Sequence, residues 1–159
     1  MTGRVHVYEA SVTWTGNLGQ GTPKYSGYDR SHVARIAGKP DLALSADPAF
    51  RGNPAMYNPE ELLVVAMSSC HMLWYLHLCA NAGIRVGAYE DRPSGRLLES
   101  GKEKGHFESI LLSPSVTIET GDVQEALRLH QEAHEACFIA NSVNFPVILE
   151  PSIKQPPNA

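Results

Sequence analysis

At 159 residues the chain has the length of one ordinary domain, enough to bury a single sizeable core. A formal net charge of −4, with 13 Lys and Arg spread singly along the chain, provides no basic footprint and argues against nucleic acid or a membrane as partner. Three widely spaced cysteines, an odd number, exclude a secreted disulfide framework and leave each thiol as filler, metal ligand or reactive group.

Met1-Thr2-Gly3-Arg4 runs into an alternating segment without the apolar stretch of a secretory signal, so a cytoplasmic location is expected. Val5 to Thr15, VHVYEASVTWT, alternates Ala10, Val12 and Trp14 with Ser11, Thr13 and Thr15, which predicts a half-buried strand ending at Gly16. Gly16 to Tyr28 reads as a Gly-rich loop. His32 to Ile36 and Leu42 to Ser45 read as short strands about the Gly38-Lys39-Pro40 turn, giving a small antiparallel sheet, and Ala46 to Met56 as irregular.

Asn58-Pro59-Glu60-Glu61 carries helix-start signals: an N-cap, a proline at the first position and acids near the positive end of the dipole. The helix is expected to run to Asn81-Ala82 and stop at Gly83. No Asp, Glu, Lys or Arg lies between Glu61 and Arg85. Ser68, Ser69, His71 and His77 interrupt the apolar run and no basic residues flank its start, so a core helix wrapped by sheet is expected in place of a membrane span.

Strands are expected at Ile84–Ala88, Arg96–Glu99, Phe107–Leu112 and Val116–Glu119, with turns at Pro93-Ser94-Gly95 and Gly101 and a break at Ser113-Pro114-Ser115. Asp122 with Glu125 three residues on opens a second helix reaching about Asn141. Phe145–Leu149 is a last strand and Gln155 onward a tail, all in one domain over residues 1–159.

On the first helix Leu63, Met67, Cys70, Trp74 and His77 share one face; on the second, Ala126, His130, Ala133, Cys137 and Ala140 do. If those stripes meet, Cys70 and Cys137 come within disulfide reach, which needs Cα atoms roughly 4.4–6.8 Å apart. Both thiols can equally be small buried hydrophobes. A zinc site is the rival: His130, His134 and Cys137 follow H-x-x-x-H-x-x-C spacing and Cys70 would be a fourth ligand, although neither an H-E-x-x-H order nor a C-x-x-C pair is present. His71 and His77 point to different sides and read as core or interface histidines, and Cys79 as structural. A reactive Cys70 needs a cation, because burial disfavours the thiolate. Arg51 is nearest in sequence, with Arg30 and Arg35 as alternatives, and Glu60 or Glu61 can hold such an arginine through a bidentate pair.

Asn58-Pro59-Glu60-Glu61-Leu62-Leu63, with Cys70 ten places after Glu60 and Cys137 on a later helix, resembles the family of osmotically inducible protein C and the organic hydroperoxide resistance proteins (OsmC/Ohr). The likeness covers nearly the whole chain. It implies an α+β fold, antiparallel sheets wrapped around two central helices, in an intertwined homodimer with active sites at the subunit interface. It further implies a thiol peroxidase acting on organic hydroperoxides, with Cys70 as peroxidatic thiolate, Cys137 as resolving thiol, Arg51 as activating cation and Glu60 as its partner. The reductant is then a dithiol of lipoyl type, with no metal and no other cofactor. The sequence departs from the family pattern at His71, after the first cysteine, and at Phe138, where a Cys-Pro pair is usual. An oily pocket of Leu63, Met67 and Trp74 is expected to favour alkyl or fatty-acid hydroperoxides. The alternative is a non-catalytic protein that binds an apolar ligand at the interface, its cysteines unreactive or metal-bound.

Overall fold

A computed structural model of the protein describes residues 3–99 and 105–156; the turn expected at Gly101 lies outside the described residues. By internal contacts the chain forms two compact units, Met1–Leu62 and Leu63–Ala159.

In the first unit β1 (Ser11–Trp14), β2 (His32–Arg35) and β3 (Leu42–Leu44) form an antiparallel sheet in that order, Ser11 facing Arg35 and His32 facing Leu44. The strand expected from Val5 shortens to four residues. A strand persists only where a neighbour takes up its backbone groups, and residues 3–10 have no such neighbour here; Val12 and Trp14, within the paired part, both remain exposed. The Gly-rich loop is held by the Trp14 indole N–H, which donates to the Asp29 carbonyl at 2.8 Å, and by the Arg30 guanidinium stacked over Tyr25 and Tyr28. In the segment read as irregular, Pro48–Phe50 makes a 3-10 turn, with Asp47 Oδ1 accepting from the Ala49 N–H at 2.7 Å. Arg51 ends that turn at φ 66°, a left-handed conformation uncommon for a residue with a Cβ. Gly52 lies so close to the Ala46 carbonyl that a Cβ would fall 1.5 Å from its oxygen.

The helix α1 (Pro59–Asn81) starts at Asn58 as the sequence predicts. Asn58 Oδ1 accepts from the Glu61 N–H at 2.8 Å and Glu61 Oε2 accepts from the Asn58 N–H at 3.1 Å, a reciprocal cap that satisfies two otherwise orphaned donors. At the other end Gly83, at φ 71°, lets the Ile84 N–H reach the Cys79 carbonyl at 2.9 Å and its own N–H reach Ala80 at 3.2 Å, closing the last turn.

The second unit continues with β4 (Arg85–Glu90), β5 (Ser94–Leu98), β6 (His106–Leu112), β7 (Ser115–Thr120), α2 (Val123–Ala136), a 3-10 turn at Ala140–Ser142, β8 (Val147–Leu149) and β9 (Ser152–Lys154). Two sheets result, β4-β7-β9 and β5-β6-β8. The pairs β4–β7 and β5–β6 are antiparallel as expected, whereas β6–β8 and β7–β9 are parallel. A parallel pair needs a long crossover, and α2 with the segment after it provides one. The strand β9 lies in what reads from sequence as the approach to a tail.

Two clusters fill this unit. One joins Tyr75 and Cys79 of α1 to Ile84, Val116, Ile118, Ala126, Leu129 and Ala133. The other joins Met67 to Ile110, Leu112 and Cys137, with Cys70, Trp74 and Phe107 among the side chains packed on it. The fully buried residues of α1 are Met67, His71, Tyr75 and Cys79, at intervals of four; of the stripe expected from sequence Met67 is among them, Leu63, Cys70 and Trp74 pack half-buried on the second cluster, and His77 is exposed. Nor is α1 covered all round within the chain: Val65 and Leu73 are 59% and 61% exposed. Its length and mean hydropathy of 1.5 would suffice for a membrane crossing, yet its buried face carries a histidine hydrogen-bonded to α2.

Candidate functional site

The helix α2 begins on Asp122, whose Oδ1 accepts from the Glu125 N–H at 2.7 Å. It ends at Ala136, five residues before the expected Asn141, and the cause is local. The Asn141 side-chain amide donates to the Glu135 carbonyl at 2.9 Å, and the Cys137 N–H tightens onto His134 O at 3.2 Å. Cys137 therefore occupies the C-cap in extended conformation (φ −68°, ψ 112°) and not mid-helix. It has a loop-like setting without a following proline.

All three cysteines are free thiols. Cys137 is fully buried and Cys70 half-buried, and Cys70 packs on the apolar cluster that contains Cys137. Burial pushes the Cys137 thiol up to about 11. Backbone N–H groups of Ala140, 3.4 Å from the sulfur, and of Ile139 act the other way; the contact with Cys70 adds to the rise. Cys79 is buried apart from them beside Tyr75, and burial raises its thiol too.

Cys70 opens into a cavity of about 420 Å³ lined by Leu73, Trp74, His77 and Phe138. Phe138, 69% exposed, stands edge-on to Trp74 with centroids 5.5 Å apart, and His77 packs edge-on to the same indole at 5.9 Å. Of the pocket expected from sequence only Trp74 lines this cavity; Leu63 and Met67 belong to the core cluster behind it. Leu73 and Phe138 were missed because the stripe argument singles out residues that pack inward, and these two do not. His77 is exposed, its Nε2 3.2 Å from the Asn81 amide nitrogen.

Behind the thiols, His71 Nε2 and His130 Nδ1 lie 3.0 Å apart with rings nearly parallel, and Tyr75 stacks on His130 at 3.8 Å. Burial holds His71 down at about 4 and His130 at about 3, so both imidazoles are neutral near pH 7. Among the described residues no three His, Cys, Asp or Glu side chains gather into a metal-holding group, and the His130, His134, Cys137 and Cys70 set does not form one. His130 is engaged with His71 instead.

In the first unit Arg51 is exposed and Glu60 half-buried, and among the described residues neither makes an ion pair. Glu61 is committed to the helix cap. Arg35 pairs with Asp41 at 3.0 Å and Arg30 is held by Tyr25 and Tyr28. Arg51 is thus the one of the three candidate arginines without a partner among the described residues.

The family model described as OsmC-like protein matches residues 52–152. Among solved structures, an OsmC-like protein of unknown function from Vibrio cholerae is 32% identical, with a TM-score of 0.83 over 93% of this chain and 100% of that one. An organic hydroperoxide resistance protein from Elizabethkingia anophelis has a TM-score of 0.70 at 16% identity, over 97% of this chain and 99% of its own. The organic hydroperoxide resistance protein OsmC of Legionella pneumophila has 0.67 at 16% identity, over 96% and 99%. The last two likenesses are of fold. No curated protein matches the chain. The family match over most of the chain and the 32% identity over nearly its full length place it: the chain belongs to the OsmC-like family.

Proposed function

We propose that the protein is a thiol-dependent peroxidase that reduces organic hydroperoxides to alcohols. The observation that carries this reading is the pair of free thiols, Cys70 and Cys137, in one apolar cluster, with Cys70 opening on a cavity walled by Leu73, Trp74 and Phe138. Neighbours in fold named for organic hydroperoxide resistance support it. The Cys70 thiolate attacks the distal oxygen of the hydroperoxide; the S–O bond forms, the O–O bond breaks, and the alkoxide leaves as alcohol after taking a proton. The Cys137 thiolate then displaces hydroxide from the Cys70 sulfenic acid, giving water and a disulfide. A dithiol reductant, of lipoyl type by family resemblance, reopens it by exchange. Arg51 and Glu60 retain in this reading the roles the resemblance assigns, activating cation and its support. The active form is a homodimer, whose partner subunit covers apolar residues exposed in the single chain, Val65 and Leu73 on α1 and Val12 on β1.

One equivalent of cumene hydroperoxide added to the reduced protein, followed by non-reducing peptide mass spectrometry, tests this. The expected product is a Cys70–Cys137 disulfide, replaced by a sulfenic acid on Cys70 in Cys137→Ser. Thiols that stay free after minutes of exposure would sink the enzyme and leave the cavity as a ligand-binding site.

A further inference from the structure

Cys70 lies on α1 and Cys137 caps the end of α2, and one polar contact joins the two helices behind the thiols. His71, immediately after Cys70 on α1, meets His130, two turns before Cys137 on α2, at 3.0 Å. Among the described residues this is the only side-chain hydrogen bond between α1 and α2. The surrounding seam is Tyr75 and Cys79 against Ala126, Leu129 and Ala133. Such a seam is apolar, and apolar burial is non-directional: it drives the helices together without choosing a sliding position. A hydrogen bond does choose, because it weakens within a few tenths of an ångström of its optimum.

Both imidazoles are fully buried, and their other nitrogens, His71 Nδ1 and His130 Nε2, have no protein partner. Each ring's single protein hydrogen bond is therefore the other ring. A slide of α2 along α1 would strip both rings of the one protein hydrogen bond they make. The same slide would carry Cys137 out of disulfide reach, since bridging tolerates a Cα separation of only about 4.4–6.8 Å.

We infer that the buried His71–His130 pair is the positioning contact that sets α1 and α2 at the relative height where Cys70 and Cys137 close a disulfide. Its use in turnover rests on the peroxidase reading, but its effect on closure does not. The pair holds only while at most one proton is shared between the facing nitrogens. The groups around it are His134 on α2, which opposes protonation of His71, Asp91 after β4, which favours it, and Tyr75, Cys79 and Tyr89, all neutral near pH 7. Charging both rings puts two cations face to face and breaks the contact.

The test closes the disulfide without peroxide. Diamide takes two electrons and two protons from the dithiol, its N=N bond becoming a hydrazine as S–S forms, and the product is then equilibrated against the dithiothreitol couple. Gln places its amide where a histidine has Nε2 and Asn where it has Nδ1, so His71→Gln with His130→Asn retains a pair that does not titrate. We expect that double variant to keep the wild-type equilibrium within about threefold at pH 7.5. The wild type should lose closure relative to this variant as the pH falls from about 4 to below about 3, where both rings take a proton. The apolar pair His71→Leu with His130→Leu should fold, because removing both partners orphans nothing, yet close at least tenfold less favourably. Leu/Leu closure equal to wild type, at unchanged melting temperature, overturns the inference. Closure by diamide with the predicted variant pattern, but thiols untouched by cumene hydroperoxide, defeats the peroxidase reading and leaves the positioning role standing.

Discussion

Phe138 meets Trp74 edge-on, ring centroids 5.5 Å apart, and the two rings share with Cys70 the wall of one cavity. Phe138 immediately follows Cys137, so one residue step joins the buried thiol to the apolar wall. Phe138→Ala should lower kcat/KM for cumene hydroperoxide about tenfold, the worth of one aromatic contact, with hydrogen peroxide unchanged. Equal losses on both substrates would show that the ring supports the thiols and not the substrate.

Disulfide closure should accelerate with alkalinity. Burial holds Cys137 protonated up to about pH 11, and only its thiolate attacks. With the Cys70 sulfenic acid formed by rapid mixing, the closure rate should rise about tenfold per pH unit from 7 to 9. A flat profile would mean that another group removes the proton.

Acid should destabilise the fold through the buried histidines. In the folded state His71 and His130 stay neutral down to about 4 and 3, whereas the unfolded chain takes up protons below about 6.5. The unfolded state therefore binds more protons between those limits, and stability falls as pH falls through that window. The slope near pH 5 is about 2 kcal/mol per pH unit. Urea unfolding at pH 7, 6 and 5 reads it, and the His71→Gln/His130→Asn double variant should lose most of the slope.

Arg51 lends itself to a clean substitution because its φ of 66° suits glycine. Arg51→Gly removes the guanidinium while relieving a left-handed residue, so the melting temperature should hold or rise slightly. Oxidation of Cys70 by cumene hydroperoxide should slow at least a hundredfold. Arg35→Ala, which breaks only an exposed pair with Asp41, should leave that rate within about twofold.

Asn58→Ala removes the acceptor of the Glu61 N–H at a buried position. A loss of about 1 kcal/mol in urea unfolding is expected, with no change in cysteine reactivity at pH 7.5.

The local devices were legible in the sequence because each is written in neighbouring residues. Asn58-Pro59-Glu60-Glu61 opens α1, Gly83 closes it, and Asp122 opens α2. The alternation about Gly38-Lys39-Pro40 predicts the β2–β3 hairpin. The OsmC-like family was likewise carried by one short motif and two cysteine positions.

What lay beyond reach depended on partners distant in sequence. The parallel pairing of β8 with β6 and β9 with β7 is decided by where the crossover returns, which no short segment encodes. The early end of α2 depends on Asn141 reaching back six residues to Glu135. On an apolar helix nearly every face can be read as the inner one, so the sequence favoured the stripe of Leu63, Met67, Cys70, Trp74 and His77, whereas packing fully buried only Met67 of these, together with His71, Tyr75 and Cys79. The choice was made by what stood opposite: His130 and the small residues of α2 accept that face, and the Cys70 side is left to open into the cavity.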